Sequence, residues 1–546
     1  VSLNLGEITP LFTAEGGFGG NFNGGGNLIS FSVTSSDDYV GLFAKIGQTG
    51  SVNALRLSAI VSGGNYVGAL AGYSLGTVSS INTEQGSVNG NTYVGGLIGK
   101  IENGGISEVG NKAAVTGTRY VGGIAGEAVL ASGVSSLVNE GTVSQGSGNA
   151  YAYFGGIFGR VQSEGIAAEK LYVYGQVSAY KADYVGGVAG SVANCKISEA
   201  AVVNSVTGRN YVGGIVGTAA SSGEEISFAM VVGNVSGAKR TGGIIGDADS
   251  FAGGIVGSPL VTETYFYGTF ATVPEAETDI NTFRAIAPDG VDVRNSYYLD
   301  GVLTLSGKGT AINSVEFTEA LFADGSTAWV QPAQGVGFGY LPRLNGAFAD
   351  DDSRLKVNYF GGGEGTDSLP FIVNSASHLS NLSYLAANYE TYRSAFYLQS
   401  AEITLEKQFS LSDSEATAFC GTYDGGYYAL RSVFDGHNPL FGYIGNGGVV
   451  KNVAVEGGVY ENASIVGTIL EGGLLTDSYS TASVNASADF VGGLVAVNYG
   501  IIESSFFTGR AEGAATTGGV AGKNYGEINN CFFAGLLNGS VAGGIA

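Results

Sequence analysis

The stretch RYVGGIAGE, residues 119–127, sets four apolar residues among three glycines, with no nucleophile or metal-ligand pair between its charged ends. It returns as TYVGGLIGK (92–100), DYVGGVAGS (183–191) and NYVGGIVGT (210–218). With the first residue after the Tyr-Val pair as marker, the phrase falls at Gly41, Gly68, Gly95, Gly122, Gly155, Gly186, Gly213 and Gly242, at steps of 27, 27, 27, 33, 31, 27 and 29. A second array runs through Gly467, Gly492, Gly518 and Gly543 at steps of 25, 26 and 25. Self-similarity at this period is the signature of a solenoid.

Helical periodicity is absent from these stretches, and each glycine would cost a helix about 1 kcal/mol. Strands are therefore expected. At about 3.3 Å per residue, 27 residues suit three short strands joined by turns, each coil stacked about 4.8 Å from the next. The expected fold is all-β, a parallel β-helix of coils 25–33 residues long with Gly-Gly corners and one short capping helix. The residue before each marker is nearly always apolar, as in Val40, Val67, Val94, Val121, Phe154, Val185 and Val212, and is placed inward. The residue before that is Tyr39, Tyr66, Tyr93, Tyr120, Tyr153, Tyr184 and Tyr211, then Arg240; tolerance of charge places it outward, where stacked coils would make a tyrosine ladder. The paired glycines, Gly95/Gly96, Gly122/Gly123, Gly155/Gly156, Gly186/Gly187, Gly213/Gly214, Gly242/Gly243, Gly492/Gly493 and Gly518/Gly519, mark places where the backbone turns sharply or lets a neighbouring coil approach.

Composition narrows the function. Glycine supplies 93 of 546 residues and proline 8, which fits neither collagen nor a proline-rich linker. A net charge of -23 is the wrong sign for a nucleic-acid backbone binder. It suits a soluble extracellular surface. Cys195, Cys420 and Cys531 lie far apart with no CxxC spacing, so each is expected to be a small buried thiol; Cys195 and Cys531 are placed in comparable coil positions. No run of about 18 apolar residues is present to insert in a membrane.

The YVGGLIG phrases, the starts GLFAKIG (41–47) and PLFGYIG (439–445), and the preceding FGGNFNG (18–24) and FCGTYDG (419–425) resemble the GLUG-motif repeats of bacterial surface proteins. SYYLDG, EFTEALFADGSTAWV and GYLPRL, within residues 296–343, resemble a segment closing such a module, and GGGEGTDSLPFIV (361–373) the start of the next. The resemblance implies a right-handed solenoid in a large secreted adhesin at the bacterial cell surface. Some members carry a zinc protease domain, but HExxH is absent here and the two histidines are His378 and His437.

The chain divides into a first solenoid (1–258), an irregular closing region (259–354), a helix-containing entry to a second module (355–417) and a second solenoid (418–546). Leu379, Leu382, Leu385 and Tyr389 are spaced as an amphipathic helix behind a serine cap, suited to covering a solenoid end. The chain starts at Val1 and stops at SVAGGIA, which suggests a section of a longer polypeptide whose neighbouring modules, or copies of itself, continue the fibre.

Candidate sites are few. Catalytic residues and cofactors are not expected, and the chain is not read as an enzyme. Asp350, Asp351 and Asp352 could ligate calcium, although a solvated linker is the commoner role for such a run. The ladder is read first as self-packing. Tyr151, Tyr172, Tyr174 and Tyr180 belong to the two expanded coils and are the better candidates for contact with a host or matrix glycan or protein, since ligand sites on rigid scaffolds favour protruding turns. The functional expectation is a structural, adhesive stalk or filament segment, with a carbohydrate-binding module as the alternative and a polysaccharide-degrading enzyme behind both.

Overall fold

A computed structural model describes the chain except for residue 1, residue 149, residues 220–222, 249–257, 274–282 and 303–307, residue 320, residues 323–326 and 332–333, and residue 434. It is all-β, about 5% helical, with parallel strands stacked as a β-solenoid of about 18 turns. Two compact units divide it: Val1–Ile312 with Phe322–Gln331 and Pro342–Leu355, and Asn313–Leu321 with Pro332–Leu341 and Lys356–Ala546.

One coil of the first unit shows how the phrase works. Its strands are Gly105–Asn111, Ala114–Gly117, Tyr120–Gly122 and Ala125–Leu130, one more than the three expected from contour length. Val121 pairs in parallel with Val94 on one side and Phe154 on the other, and all three side chains are wholly buried. Coils of the second unit break into five strands, as in Ile501–Glu503, Phe506–Phe507, Arg510–Gly513, Thr516–Gly518 and Ala521–Asn524.

The glycine pairs are expected to mark a sharp turn or the close approach of a neighbouring coil, and they do so without a positive φ at any glycine of the pairs. Left-handed residues occur two positions ahead of the first glycine in some coils, with φ of 59° at Tyr93, 50° at Tyr211 and 50° at Arg240 before glycine pairs and 61° at Tyr39 and 55° at Tyr66 before Gly41-Leu42 and Gly68-Ala69, but not at Tyr120, Tyr153 or Tyr184. A second corner turns the same way at Glu108, Ser136, Lys170, Glu199 and Phe228. Each such non-glycine residue costs roughly 1–2 kcal/mol, a strain that the hydrogen bonds between coils offset. The first glycine of each pair ends a short strand, as Gly122 and Gly518 do. The chain then bends at the second, Gly96, Gly123, Gly156, Gly187, Gly214, Gly243, Gly493 or Gly519, without entering the left-handed region.

These glycines are needed for space rather than for φ. A Cβ on Gly122 would lie 2.0 Å from the Ala125 carbonyl oxygen, and one on Gly123 would lie 2.1 Å from that of Gly156 and 2.3 Å from the Asn139 side chain. The clash repeats up the first unit. A Cβ would meet the Gly123 carbonyl oxygen at 2.1 Å from Gly96, that of Gly187 at 2.2 Å from Gly156, and that of Gly214 at 2.0 Å from Gly187. On Gly214 it would meet the Gly243 carbonyl oxygen at 2.0 Å, and on Gly243 that of Ala285 at 2.1 Å. Gly493 of the second unit is hemmed in by the Phe507 ring at 2.2 Å and the Gly519 carbonyl oxygen at 2.3 Å. The second glycine of each pair thus clears a path for the adjoining coil and for a core side chain from the opposite wall.

At two coils that side chain is polar. Asn111 Nδ2 donates to Asn139 Oδ1 at 2.9 Å, and Asn111 Oδ1 accepts from Thr83 Oγ1 at 2.6 Å. Asn139 is fully buried, and its own Nδ2 donates to the Gly141 carbonyl. From Val173 onward the same register position is apolar, through Val202, Val231 and Phe266.

Parallel stacking carries on past residue 258, the expected end of the first solenoid. Leu260–Tyr267 pairs with Glu225–Val232, Asp292–Leu299 pairs with Leu260–Tyr267, and Thr310–Ile312 adds to Asp292–Leu299. The apolar positions of these coils are spaced as before, but they have lost the glycine phrase. The segment resembling EFTEALFADGSTAWV lies partly outside the described residues. In the second unit a helix, α1 (Ala376–Asn388), begins where expected: Ser375 accepts from the His378 N–H, and Leu379, Leu382 and Leu385 are buried. Tyr389 ends it rather than joining its apolar face. Ser383 Oγ donates to the Ser410 carbonyl and the Tyr392 ring lies 5.8 Å from that of Phe371, so the helical segment packs on the first strands of its unit.

Candidate functional site

Tyr39, Tyr66, Tyr93, Tyr120, Tyr153, Tyr184 and Tyr211 form one continuous stack. Successive ring centroids lie 4.6–5.1 Å apart, with planes within 14° of parallel. The stack stands outside the apolar core cluster, as expected, yet it is not open surface: Tyr120 is only 9% exposed and Tyr184 8%. Burial, the first cause, raises the phenols of Tyr66, Tyr93 and Tyr153 and takes Tyr184 to about 12. A cation attends each end, with Lys45 Nζ 4.3 Å from the Tyr39 centroid and the Arg240 guanidinium 5.5 Å from that of Tyr211. Because the ring faces are spent on one another, this ladder offers a ligand only edges and hydroxyls.

Beside it runs a second column that the sequence reading missed. Lys45, Tyr73, Lys100, Glu127, Arg160, Ser191, Thr218 and Asp247 occupy one register position on successive coils. From Tyr73 onward each follows the last glycine of the phrase, a signal present in every copy but overshadowed by the glycines. Lys100 Nζ lies 3.2 Å from both Glu102 and Glu127, and Glu127 also meets Arg160 at 3.6 Å. Tyr73 donates to Glu102 at 2.5 Å. Burial opposes the charge on Lys100, but the facing Glu127 and Glu102 outweigh it and raise the ammonium above its ordinary value. The bonds from Tyr73 and then Lys100 lower the Glu102 carboxyl. These shifts hold Lys100 and Glu102 in their charged forms near neutral pH, the reverse of what a general acid or base needs. The column acts as an electrostatic seam.

The expanded coils put their extra residues at two corners. One gathers 145–148, 150–152 and 179–183: Lys181 N–H donates to Gln145 Oε1, and Asp183 N–H to the Ala150 carbonyl. Here Tyr151 is 72% and Tyr180 49% exposed. Tyr172 and Tyr174 do not join them. Tyr172 is 8% exposed; Tyr174 donates to the Ala347 carbonyl and packs edge-on against Phe348, with the Arg354 guanidinium 4.4 Å from its centroid. The 347–354 segment of the same unit returns over the Tyr174 ring. That segment also occupies two of the acidic candidates, since Asp350 is paired with Arg343 and Asp352 with Arg354 at 2.7 Å. No group of three or more possible metal ligands occurs among the described residues.

All three cysteines are free. Cys195 is buried, and burial, the first cause, pushes its thiol up to about 11. Cys420 is exposed and Cys531 intermediate, contrary to the expectation of three buried thiols. Nor do Cys195 and Cys531 share a position. Each follows a left-handed asparagine, Asn194 or Asn530, but Cys195 lies 9 residues past its marker Gly186 and ahead of the corner at Glu199, whereas Cys531 lies 13 past Gly518.

No family model matches the chain, and no curated protein matches it. Its class is defined by the fold: a glycine-cornered, parallel β-solenoid repeat protein.

Proposed function

We propose that this chain is a structural and adhesive segment of a large secreted bacterial surface protein or extracellular filament of the GLUG-repeat kind, serving as a stiff stalk with repeated display. The observation that carries the reading is the uninterrupted seven-tyrosine stack. A column that devotes its aromatic faces to holding coil on coil is built for stiffness, and stability that accrues coil by coil is the economy of a solenoid. The charged seam beside it is compatible with the same role. Negative-stain electron microscopy at several dilutions tests this: rods of constant contour length are expected for a covalent stalk, and fibres that shorten on dilution for a filament subunit joined through its ends. Globular particles at every concentration would refute both.

A second reading, a glycan-binding module, draws on Tyr151 and Tyr180. Their exposure on adjoining expanded loops leaves aromatic surface available for a sugar ring, which the ladder does not. Loss of glycan-array signal on Tyr151→Ala would support it.

A further inference from the structure

The second expanded corner does something different. Between the Gln162–Ala193 pair and the Ile166–Cys195 pair the register slips, and residues 163–165 stand out from the wall. Gly165 has φ +82° with nothing within 4 Å of where its Cβ would be. Ser163 folds back under this bulge, donating to the Asn194 carbonyl at 2.7 Å and accepting from the Ile166 N–H at 3.1 Å. Asn194 is itself fixed: its N–H donates to Glu224, and its backbone is left-handed at φ 52°. Four successive coils, still paired with one another on the wall beside the bulge, line a cavity of about 470 Å³, within the range of small-molecule sites.

We infer that this cavity, lined by Asn103, Gln162, Glu164 and Asn194 over an apolar floor of Val129 and Ile166, is a binding site for a neutral polyhydroxyl ligand, a mono- or disaccharide. The side-chain amides of Asn103 and Gln162 each present a donor and an acceptor in one plane, the pairing that adjacent sugar hydroxyls require. The Glu164 carboxylate accepts from two hydroxyls at once. Neither Gln162 nor Glu164 spends its side chain on a hydrogen bond or ion pair with another described residue. No lysine or arginine lines the cavity, and Glu164 together with the net charge of -23 turns anionic ligands away. The half-buried Val129 and Ile166 suit the C–H face of a pyranose. The site depends neither on the stalk reading nor on the Tyr151 corner.

Saturation-transfer NMR on the full 546-residue chain tests it, with maltose, cellobiose, lactose and chitobiose as probes at about 10 mM, a concentration matched to millimolar affinity. Transfer to at least one of them is expected. Gln162→Ala and Glu164→Ala should each weaken that binding up to about tenfold, the worth of one or two hydrogen bonds, with the melting temperature unchanged. Ala131→Trp, filling the cavity from an exposed position on its rim, should abolish it, whereas Tyr151→Ala should leave it intact. Silence from all four sugars, transfer lost in Tyr151→Ala but kept in Gln162→Ala, or tighter binding of an oligogalacturonide than of any neutral sugar would each overturn the assignment.

Discussion

The two solenoids place the same corner at the same point of the coil and fill it with different chemistry. In the first unit the left-handed position is held by Ala54, Ser80, Glu108, Ser136, Lys170, Glu199, Phe228, Glu263 and Asn295, of which only Asn295 is of a type enriched there; in the second it is held by Asn452, Asp477, Ser504 and Asn530, three of which are Asn or Asp. The next residue inward is apolar in the first unit through Val109, Leu137, Leu171, Ala200 and Ala229 and turns polar only at the buried, mutually bonded Thr264 and Ser296. In the second it is Val453 and then Ser478 and Ser505, buried and bonded between coils: the Val453 N–H donates to Ser478 Oγ, and the Ser478 N–H to Ser505 Oγ. Aromatic stacking differs likewise. The first unit runs seven tyrosines in one file, while the second uses shorter files, Tyr479–Phe506–Phe532 and Tyr499–Tyr525. The backbone path therefore dictates where a column stands, and each unit chooses independently whether strain is met by aromatic stacking or by residues suited to the turn.

The largest test of this equivalence is a charge in the wall. Val121→Asp in the first unit and Val491→Asp in the second, both at wholly buried sites, should each cost about 4 kcal/mol and lower only the urea transition of their own unit. Next come the glycines. Gly123→Ala and Gly519→Ala each drive a Cβ to 2.1 Å from a carbonyl of the adjoining coil and should cost about 2–3 kcal/mol. Gly105→Ala, with its nearest atom at 3.5 Å, should be nearly neutral. Equal melting temperatures for Gly123→Ala and Gly105→Ala would show that the phrase is not about close approach.

Tyr120→Ser looks cheap if outward means exposed, but Tyr120 is buried and stacked on both faces, so a loss of about 2 kcal/mol is expected. Tyr525→Ser, at 57% exposure with one stacking partner, should cost well under half of that. Mild acid sharpens the contrast further, because both histidines lie in the second unit. Burial is the first cause holding His378 and His437 below their ordinary value. The unfolded chain takes up protons at about pH 6.5 while the native unit resists. That stability is present above about pH 6.5 and is lost as pH falls below it. Melting from about pH 7.5 to about pH 5.5 should lower the second unit's transition, and His437→Asn should flatten the dependence. The smallest effect is chemical: iodoacetamide should label Cys420 in the native protein and reach Cys195 only on unfolding.

The repeat phrase by itself was enough to determine a parallel solenoid, its inward valines and its tyrosine column, because coil-on-coil stacking in register turns a sequence period directly into a spatial column. The serine-capped helix at Ala376–Asn388 was legible for a similar reason, since its signals are local. What lay beyond that reading depends on distance through space. Only the tertiary structure decided which atoms the glycine pairs make room for, that four of the seven tyrosines take the left-handed turn, and that Tyr120 is buried. It decided also that Tyr174 is covered by 347–354, that Lys100 sits between two carboxylates, and that the slip at 163–165 opens a cavity. Those outcomes turn on a few ångströms between residues roughly a coil or more apart in the chain, and on corner geometry that no periodicity encodes.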